Sequence, residues 1–239
     1  MLNEKDTIKC ESIFNVERTH RFWWKRVWDS KKPLACVIML NACIADNVIM
    51  DTSTYLVVNA IANLEDYGGV IIVNLFSKLT SKLNFKWNGV EDYNLPENDD
   101  YIKKAAEESE VVVLAWGKGA ANNRSIEERA VDVINNLENF KPKLRVITDG
   151  EKISIHPLTP SIRRNKWNLL TLSEVSEFEE KVKEAKVKEA KTKEILEVEA
   201  NDESTNVPVE GEAEESSEES AEEATEESAE EITEEPTND

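Results

Sequence analysis

Histidine and cysteine, the residues that most often bind zinc, are scarce in this sequence. The 239 residues include two histidines and three cysteines, Cys10, Cys36 and Cys43. No CxxC pair is present, so both a zinc-binding spacing and a redox CxxC motif are missing, and we predict no metal site. An odd number of cysteines without such a pair is typical of free thiols in a reducing, cytoplasmic setting.

Glycine is also scarce, and the motifs that depend on it are missing. The chain has seven glycines. They form no GxGxxG fingerprint, no GxxxxGK[ST] phosphate loop and no GxSxG nucleophile elbow. Gly117-Lys118-Gly119 is too short to indicate a phosphate loop. The sequence therefore contains no motif for a nucleotide cofactor or for a serine nucleophile, and we predict no cofactor.

Long apolar runs are absent as well. The longest runs have the length of a β-strand, well below the roughly 20 residues that a membrane-spanning helix needs. The first 14 residues contain no apolar segment of the kind found in signal peptides. We therefore expect a soluble, intracellular protein without a membrane partner.

Basic residues are missing from the C-terminal part of the chain. Residues 201–239 contain 17 Asp and Glu and no Lys or Arg, and they account for most of the formal net charge of −20. Residues 1–173 contain 23 acidic and 23 basic residues. A neutral N-terminal part exerts no overall attraction on nucleic acid, so such binding would depend on local basic clusters.

Composition divides the chain into three predicted segments. Residues 1–173 have the mixed composition of a folded domain. Residues 174–200 are rich in Lys, Glu and Ala, which favours a solvated helix. Residues 201–239 have too few apolar side chains to offset the entropy of ordering, so we predict a disordered acidic tail. The tail is either a solubilising spacer or a competitor of DNA for basic clusters.

Apolar runs of strand length alternate with segments of helical periodicity. This alternation predicts an α/β fold of three layers, α/β/α, around a mainly parallel sheet of four to five strands. Asp51 and the hydroxyl residues after it predict the start of the first helix. The predicted strands are 35–40, 70–73, 111–115 and 143–147, with a short fifth at 153–155, and the predicted helices are 53–65, 97–109 and 122–138.

Residues 17–32 combine tryptophans with basic side chains. Trp24 and Trp28 are four residues apart and would share one face of a helix. One interpretation is a helix or turn that packs its tryptophans on the sheet and leaves its bases in solvent. The other is a basic aromatic surface for nucleic acid. The candidate nucleic-acid-binding residues are Arg21, Lys25 and Arg26, with Arg163 and Arg164 in a second basic cluster.

Polar residues follow or end several predicted strands. Ligands of α/β proteins bind beyond the carboxyl ends of the strands, so these residues predict a common site. Asn41, Asp46 and His156 are candidate catalytic residues, and Asn74, Trp116 and Gly117 are candidate substrate-binding residues.

Structural roles for the same residues remain open. An asparagine at a strand end can cap a turn, and a lone histidine can be structural. Cys43 is either a thiol nucleophile with His156 as its base or an ordinary loop residue. Alternatively Asn41, with Asp46 or Asp51, orients a water molecule while His156 donates to a developing negative charge.

The order and spacing of several short blocks resemble the DUF1643 family. The blocks are Arg26-Val27-Trp28, Ile38-Met39-Leu40-Asn41, Ala45-Asp46, Tyr67-Gly68-Gly69, Val73-Asn74-Leu75-Phe76, Glu97-Asn98-Asp99, Ala115-Trp116-Gly117 and His156-Pro157-Leu158. The family usually has Asn-Pro-Ser after its first core strand, where this chain has Asn41-Ala42-Cys43. The resemblance implies no specific activity.

Four of these blocks are also similar, more distantly, to the uracil-DNA glycosylase superfamily. That similarity implies that Asn41 positions a water molecule, that Asn74 recognises the edge of a base, and that His156 stabilises the leaving base. It implies a nucleic-acid or nucleotide-processing enzyme. The alternative is a non-catalytic module that binds a nucleotide or a protein.

Overall fold

Seven strands form a single sheet in the computed structural model. The strands are β1 (Lys9–Phe14), β2 (Arg21–Val27), β3 (Leu34–Asn41), β4 (Gly69–Phe76), β5 (Val111–Leu114), β6 (Leu144–Thr148) and β7 (Asn168–Thr171). The helices are α1 (Thr52–Asn63), α2 (Glu97–Glu108) and α3 (Arg124–Asn136), and a 3-10 helix spans Glu138–Lys143. The structure describes residues 5, 7–43, 48–86, 88–117 and 123–177.

The sheet is mixed, with a parallel centre and antiparallel edges. Its strand order is β1-β2-β4-β3-β5-β6-β7. The central strands β4, β3, β5 and β6 pair in parallel, whereas β1–β2, β2–β4 and β6–β7 pair antiparallel. The predicted α/β class is confirmed, but the prediction of a mainly parallel sheet of four to five strands was wrong. The parallel strands were found because they are rich in apolar residues, whereas the missed strands β1 and β2 contain several charged side chains.

The helices cover both faces of the sheet. Val57 and Ile61 of α1 belong to the apolar cluster on one face, which we call the α1 face. Ile102 of α2 and Val133 of α3 belong to the cluster on the other face. Asp51 caps α1 as predicted, because its carboxylate accepts hydrogen bonds from the backbone N–H groups of the second and third helical residues, at 2.9 and 3.1 Å.

The tryptophan-rich segment 17–32 is not a helix. Its central part forms β2, which lies between β1 and β4. Trp23 and Trp24 are both fully buried, and they belong to the clusters on opposite faces of the sheet. Successive side chains of a strand alternate between faces, so two adjacent tryptophans serve both layers of the core. The four-residue spacing of Trp24 and Trp28 therefore does not indicate a helix in this segment.

Two further predictions concern the C-terminal part of the chain. The predicted strand 153–155 is absent from the described residues, where Ile153 forms only an isolated bridge with Thr148. The described fold belongs to a unit of residues 1–190. The predicted helical segment 174–200 and acidic tail 201–239 lie outside the described residues, apart from 174–177, which are helical. In the described part of the chain, every helix is too short or too polar to cross a membrane.

Candidate site at the carboxyl ends of the parallel strands

Asn41 and Asn74 lie on the two central strands β3 and β4. In the parallel register Asn74 is opposite Met39, two residues before Asn41. Met39 belongs to the apolar cluster of the α1 face, as does Ile72, two residues before Asn74. Because residues two apart in a strand point the same way, Asn74 faces the α1 side of the sheet. Neighbouring strands are about 4.8 Å apart, so Asn41 and Asn74 lie on adjacent strands with an offset of two residues along the sheet.

The side-chain amide of Asn41 is oriented by two carbonyl groups. Its Nδ2 donates to the carbonyl oxygen of Thr80 at 2.6 Å and, more weakly, to that of Ala42 at 3.4 Å. Both partners are acceptors, which fixes the NH2 end of the amide toward them. The opposite end, Oδ1, is thereby left as an acceptor for a water molecule or a ligand.

Asn74 is a buried polar residue with an unused donor. Its side chain is 1% exposed, and its Nδ2 has no hydrogen-bond partner. Leaving a buried donor unpaired costs about 1–3 kcal/mol, so such groups in native proteins call for an explanation. A ligand that presents an acceptor on the α1 face at the carboxyl end of β4 supplies one.

Trp116 and Gly117 follow β5 and come close to the His156 loop. Gly117 has a φ of 74°, in the left-handed region that favours glycine. A Cβ added to Gly117 would lie 2.7 Å from Cβ of His156. The absence of a side chain at Gly117 therefore permits the close approach of His156. Trp116 is buried in the cluster of the α2 and α3 face, so its ring is mainly a core group.

His156 is arranged as a neutral donor. Its Nδ1 accepts a hydrogen bond from the backbone N–H of Leu158 at 3.1 Å, which places the proton of the neutral ring on Nε2. Burial lowers the pKa of His156 below the usual value for histidine. At neutral pH the ring is therefore uncharged, and Nε2–H is available to donate to an acceptor.

Arg21 lies inside the protein and not on its surface. It is 3% exposed, and its backbone N–H donates to the carbonyl of Ser77 at 2.8 Å. Burial lowers the pKa of Arg21, while the charges of Asp51 and Cys43 act in the opposite direction. Arg21 is thus close to the N-terminus of α1 and to the loop after β3. A surface role for Arg21 in binding nucleic acid does not fit this position.

The thiol of Cys43 is unsuited to act as a nucleophile. Burial is the main cause that raises the pKa of Cys43, and the charge of Asp51 raises it further. The nearby Arg21 lowers it, but the net direction is upward. A nucleophilic cysteine needs the thiolate form, so the geometry favours a structural role for this side chain over the thiol-nucleophile interpretation.

The other candidate nucleic-acid-binding residues do not form one surface. Lys25 is paired with Glu108 of α2 at 3.0 Å, on the α2 and α3 face. Arg26 stacks over Trp24, which belongs to the α1 face, and its Nη1 contacts the sulfur of Met50 at 3.2 Å. Arg163 and Arg164 are exposed and lie beside α1. The strand conformation of β2 separates bases that a helix or a turn would group together.

A network behind β4 was missed by the sequence reasoning. Asn98 is fully buried, and its Nδ2 donates to the carbonyl oxygens of Asn74 at 2.9 Å and Leu75 at 3.4 Å. Arg129 donates from Nε to the same Leu75 carbonyl at 3.0 Å and forms an ion pair with Asp99. These groups fix the backbone that carries Asn74. The signal was the block Glu97-Asn98-Asp99, which contributed to the family resemblance and lies at the start of the predicted helix 97–109.

The catalytic candidate Asp46 lies outside the described residues. In the described part of the chain, no three His, Cys, Asp or Glu side chains form a group that could hold a metal ion. Asn41, Asn74 and His156 supply hydrogen-bond donors and acceptors at this end of the sheet.

Comparisons with known proteins identify a family but no close relative. No curated protein matches the chain, and no solved structure matches it. The resemblance to the uracil-DNA glycosylase superfamily is not supported by these comparisons. The family model described as "protein of unknown function (DUF1643)" matches residues 21–158, which is more than half of the chain, and the chain therefore belongs to the DUF1643 family.

Proposed function

We propose that this DUF1643 protein processes a nucleic acid or a nucleotide by hydrolysing the bond between a base and its sugar. The observation that carries the proposal is the buried, unpaired Nδ2 of Asn74. A nucleobase presents carbonyl and ring-nitrogen acceptors on its edge, and a fixed amide donor recognises such an edge.

The reaction assigns one step to each of two side chains, His156 and Asn41, while Asn74 recognises the base. The bond between C1′ of the sugar and the base nitrogen breaks, and the electron pair leaves with the base. His156 donates from Nε2–H to the base anion and so stabilises the leaving group. A water molecule donates a hydrogen bond to Oδ1 of Asn41, which orients it. This water adds to C1′ and loses a proton to solvent or to another proton acceptor. The hydrogen bonds of Asn41 and His156 support these roles.

Release of a base tests this proposal. The full-length protein is incubated with DNA containing uracil, hypoxanthine or an alkylated base, and with the corresponding nucleotides, and abasic sites and free bases are measured. We expect turnover that falls at least about a hundredfold in Asn41→Ala and His156→Ala. Asn135→Ala, an exposed position at the end of α3, is the matched control and retains activity. Equal product from the wild type and Asn41→Ala, or none on any substrate, refutes the enzyme.

A non-catalytic binding module is the second candidate function, and the loop after β3 favours it. Ala42 is fully buried, and its backbone N–H donates to the carbonyl of Phe76 at 3.1 Å. The proline that the family usually has at this position cannot make that bond. The loop that begins at Asn41 is therefore built differently here. Saturable nucleotide binding in calorimetry that Asn74→Leu abolishes, without any turnover, identifies a binding module.

A further inference from the structure

A groove runs along the exposed side of α1, beside the turn that follows the His156 loop. Its volume is about 440 Å³. Six residues line its polar part, which are Tyr55, Asn59, Asn63, Arg163, Arg164 and Asn165. Three of them, Tyr55, Asn59 and Asn63, are four residues apart on α1 and therefore form one stripe along the helix.

The two arginines of the groove are free cations. Both are exposed, and among the described residues neither guanidinium has a hydrogen-bond or ion-pair partner. Of the residues that the structure describes, none that lines the groove carries a carboxylate. Other bases in the fold are engaged, such as Lys25 with Glu108 at 3.0 Å and Lys32 with the carbonyl of Glu65 at 2.6 Å. Planar guanidinium groups without acidic partners are well suited to phosphate oxygens.

The other lining groups suit the bases of a nucleic acid. Tyr55 is 51% exposed although it is a large aromatic residue, and an exposed ring offers a face on which a base can stack. The three carboxamides, on Asn59, Asn63 and Asn165, each carry donors and an acceptor for base edges. Guanidinium groups, carboxamides and an aromatic ring together match the phosphates and bases of an unpaired strand better than they match a protein surface.

The groove begins close to the candidate site. Tyr55 is in the first turn of α1, and Asp51, which caps that helix, is close to Arg21 at the carboxyl end of the sheet. From Tyr55 to Asn63 the helix extends about 12 Å at 1.5 Å per residue. We propose that this groove binds a single-stranded nucleic acid next to the candidate site. The inference deepens the proposed function, on which its choice of polymer rests.

Binding of labelled oligonucleotides to the full-length protein tests the groove without requiring turnover. The probes are 15-nucleotide single strands of DNA and of RNA and a DNA duplex, measured by fluorescence anisotropy across a salt titration. We expect the single strands to bind more tightly than the duplex. Arg163→Ala/Arg164→Ala weakens binding at least about tenfold and reduces the slope of log K against log salt by about 1.4, since two phosphate contacts are lost. Tyr55→Ala weakens binding about tenfold.

The matched control removes two positive charges elsewhere. Lys103→Ala/Lys141→Ala lies outside the groove and leaves the affinity and the salt slope unchanged. Thermal unfolding confirms that each variant is folded. Equal affinity of the Arg163/Arg164 double variant and this control overturns the inference, as does tighter binding of the duplex. Competition by polyglutamate that equals competition by an oligonucleotide also overturns it, because the groove would then recognise only negative charge.

The two proposals fail independently. Binding of single strands through Arg163 and Arg164 without any release of base would support the groove proposal and refute the proposed enzyme activity. The opposite outcome is release of bases from short substrates at equal rates in the wild type and the double arginine variant, together with no affinity for oligonucleotides. It would support the enzyme activity and refute the groove proposal.

Discussion

Both ends of the parallel strand β4 carry a block of the family resemblance, Tyr67-Gly68-Gly69 at the amino end and Val73-Asn74-Leu75-Phe76 at the carboxyl end. The hydrogen bonds of Gly68 and of Asn74 differ. At the amino end, Gly68 donates to the carbonyl of Pro33 at 2.8 Å, and its own carbonyl accepts from Trp28 and Asp29 at 2.9 Å. At the carboxyl end, the Nδ2 of Asn74 is buried and unpaired. The turn at Gly68 therefore uses its backbone groups to hold the chain together, whereas Asn74 at the carboxyl end carries a side-chain donor that has no partner.

This difference separates structural from functional motifs in a way that residue type alone does not. Tyr67-Gly68-Gly69 and Val73-Asn74-Leu75-Phe76 belong to one strand and its preceding turn, and both contribute to the family resemblance. The first block is explained by backbone packing, because a Cβ on Gly69 would lie 2.7 Å from the carbonyl oxygen of Arg26. The second contains a buried side-chain donor, Nδ2 of Asn74, that has no partner. Substitutions at the two ends should consequently affect different quantities.

The largest expected effect is the loss of stability in Gly68→Ala. A Cβ at this position would lie 1.8 Å from the backbone carbonyl oxygen of Asp29, so the turn between β2 and β3 must move. We expect the free energy of unfolding in urea to fall by at least about 3 kcal/mol. The control is Gly150→Ala, where φ is 93° but no atom lies within 4 Å of the added Cβ. It should cost only about 1–2 kcal/mol of backbone strain, and equal losses in the two variants would contradict the packing argument.

At the carboxyl end, Gly117→Ala should disturb the site more than the fold. The added Cβ meets the side chain of His156 at 2.7 Å, and φ is 74°. The clash is with a side-chain atom and is milder than the 1.8 Å approach to a backbone carbonyl at Gly68, so we expect a loss of about 1–3 kcal/mol in unfolding free energy, smaller than for Gly68→Ala. Base release or ligand binding should fall at least tenfold, because His156 is displaced. A variant with full activity would show that the position of His156 is not critical.

Asn74→Leu should leave stability almost unchanged and remove function. Leucine has a similar volume and no unpaired donor, so the cost of burying Nδ2 disappears. We expect the free energy of unfolding to stay the same or to rise by up to about 1 kcal/mol, with ligand binding or turnover abolished. Asn98→Leu is the comparison variant, since its Nδ2 donates to two backbone carbonyls, and it should lose about 2 kcal/mol. A large loss of stability in Asn74→Leu would assign Asn74 to the fold.

The smallest expected effect is a dependence of stability on pH through His156. Its folded-state pKa is lowered by burial, so the unfolded chain binds the proton more readily. The contribution of neutral His156 to the free energy of unfolding is fully present above the pKa of histidine in the unfolded chain, about 6.5. It is lost as the pH falls from there through the folded-state value. Urea unfolding at pH 7.5, 6.0 and 5.0 should show a smaller decline for His156→Gln than for the wild type. Parallel declines would mean that His156 does not cause the loss.

Local sequence patterns were sufficient to predict the parallel centre of the fold and the cap of α1. Apolar runs made β3, β4 and β5 recognisable, since strands covered by helices on both faces need no polar alternation. The shorter β6, which contains Arg145, still carries three apolar residues, Leu144, Val146 and Ile147. Asp51 could be identified because capping depends on a few adjacent residues. The positions of Asn41 and Asn74 on neighbouring strands followed from the same pattern.

Which polar residues have partners depends on contacts between segments that are distant in sequence. Trp23, Trp24 and Arg21 are on a strand because pairing with β1 and β4 buries them, and pairing between distant segments leaves no local signal. The unused donor of Asn74, the network of Asn98 and Arg129, and the groove along α1 likewise arise from residues distant in sequence. A hydrogen bond depends on distances of about 3 Å, which composition and spacing do not encode.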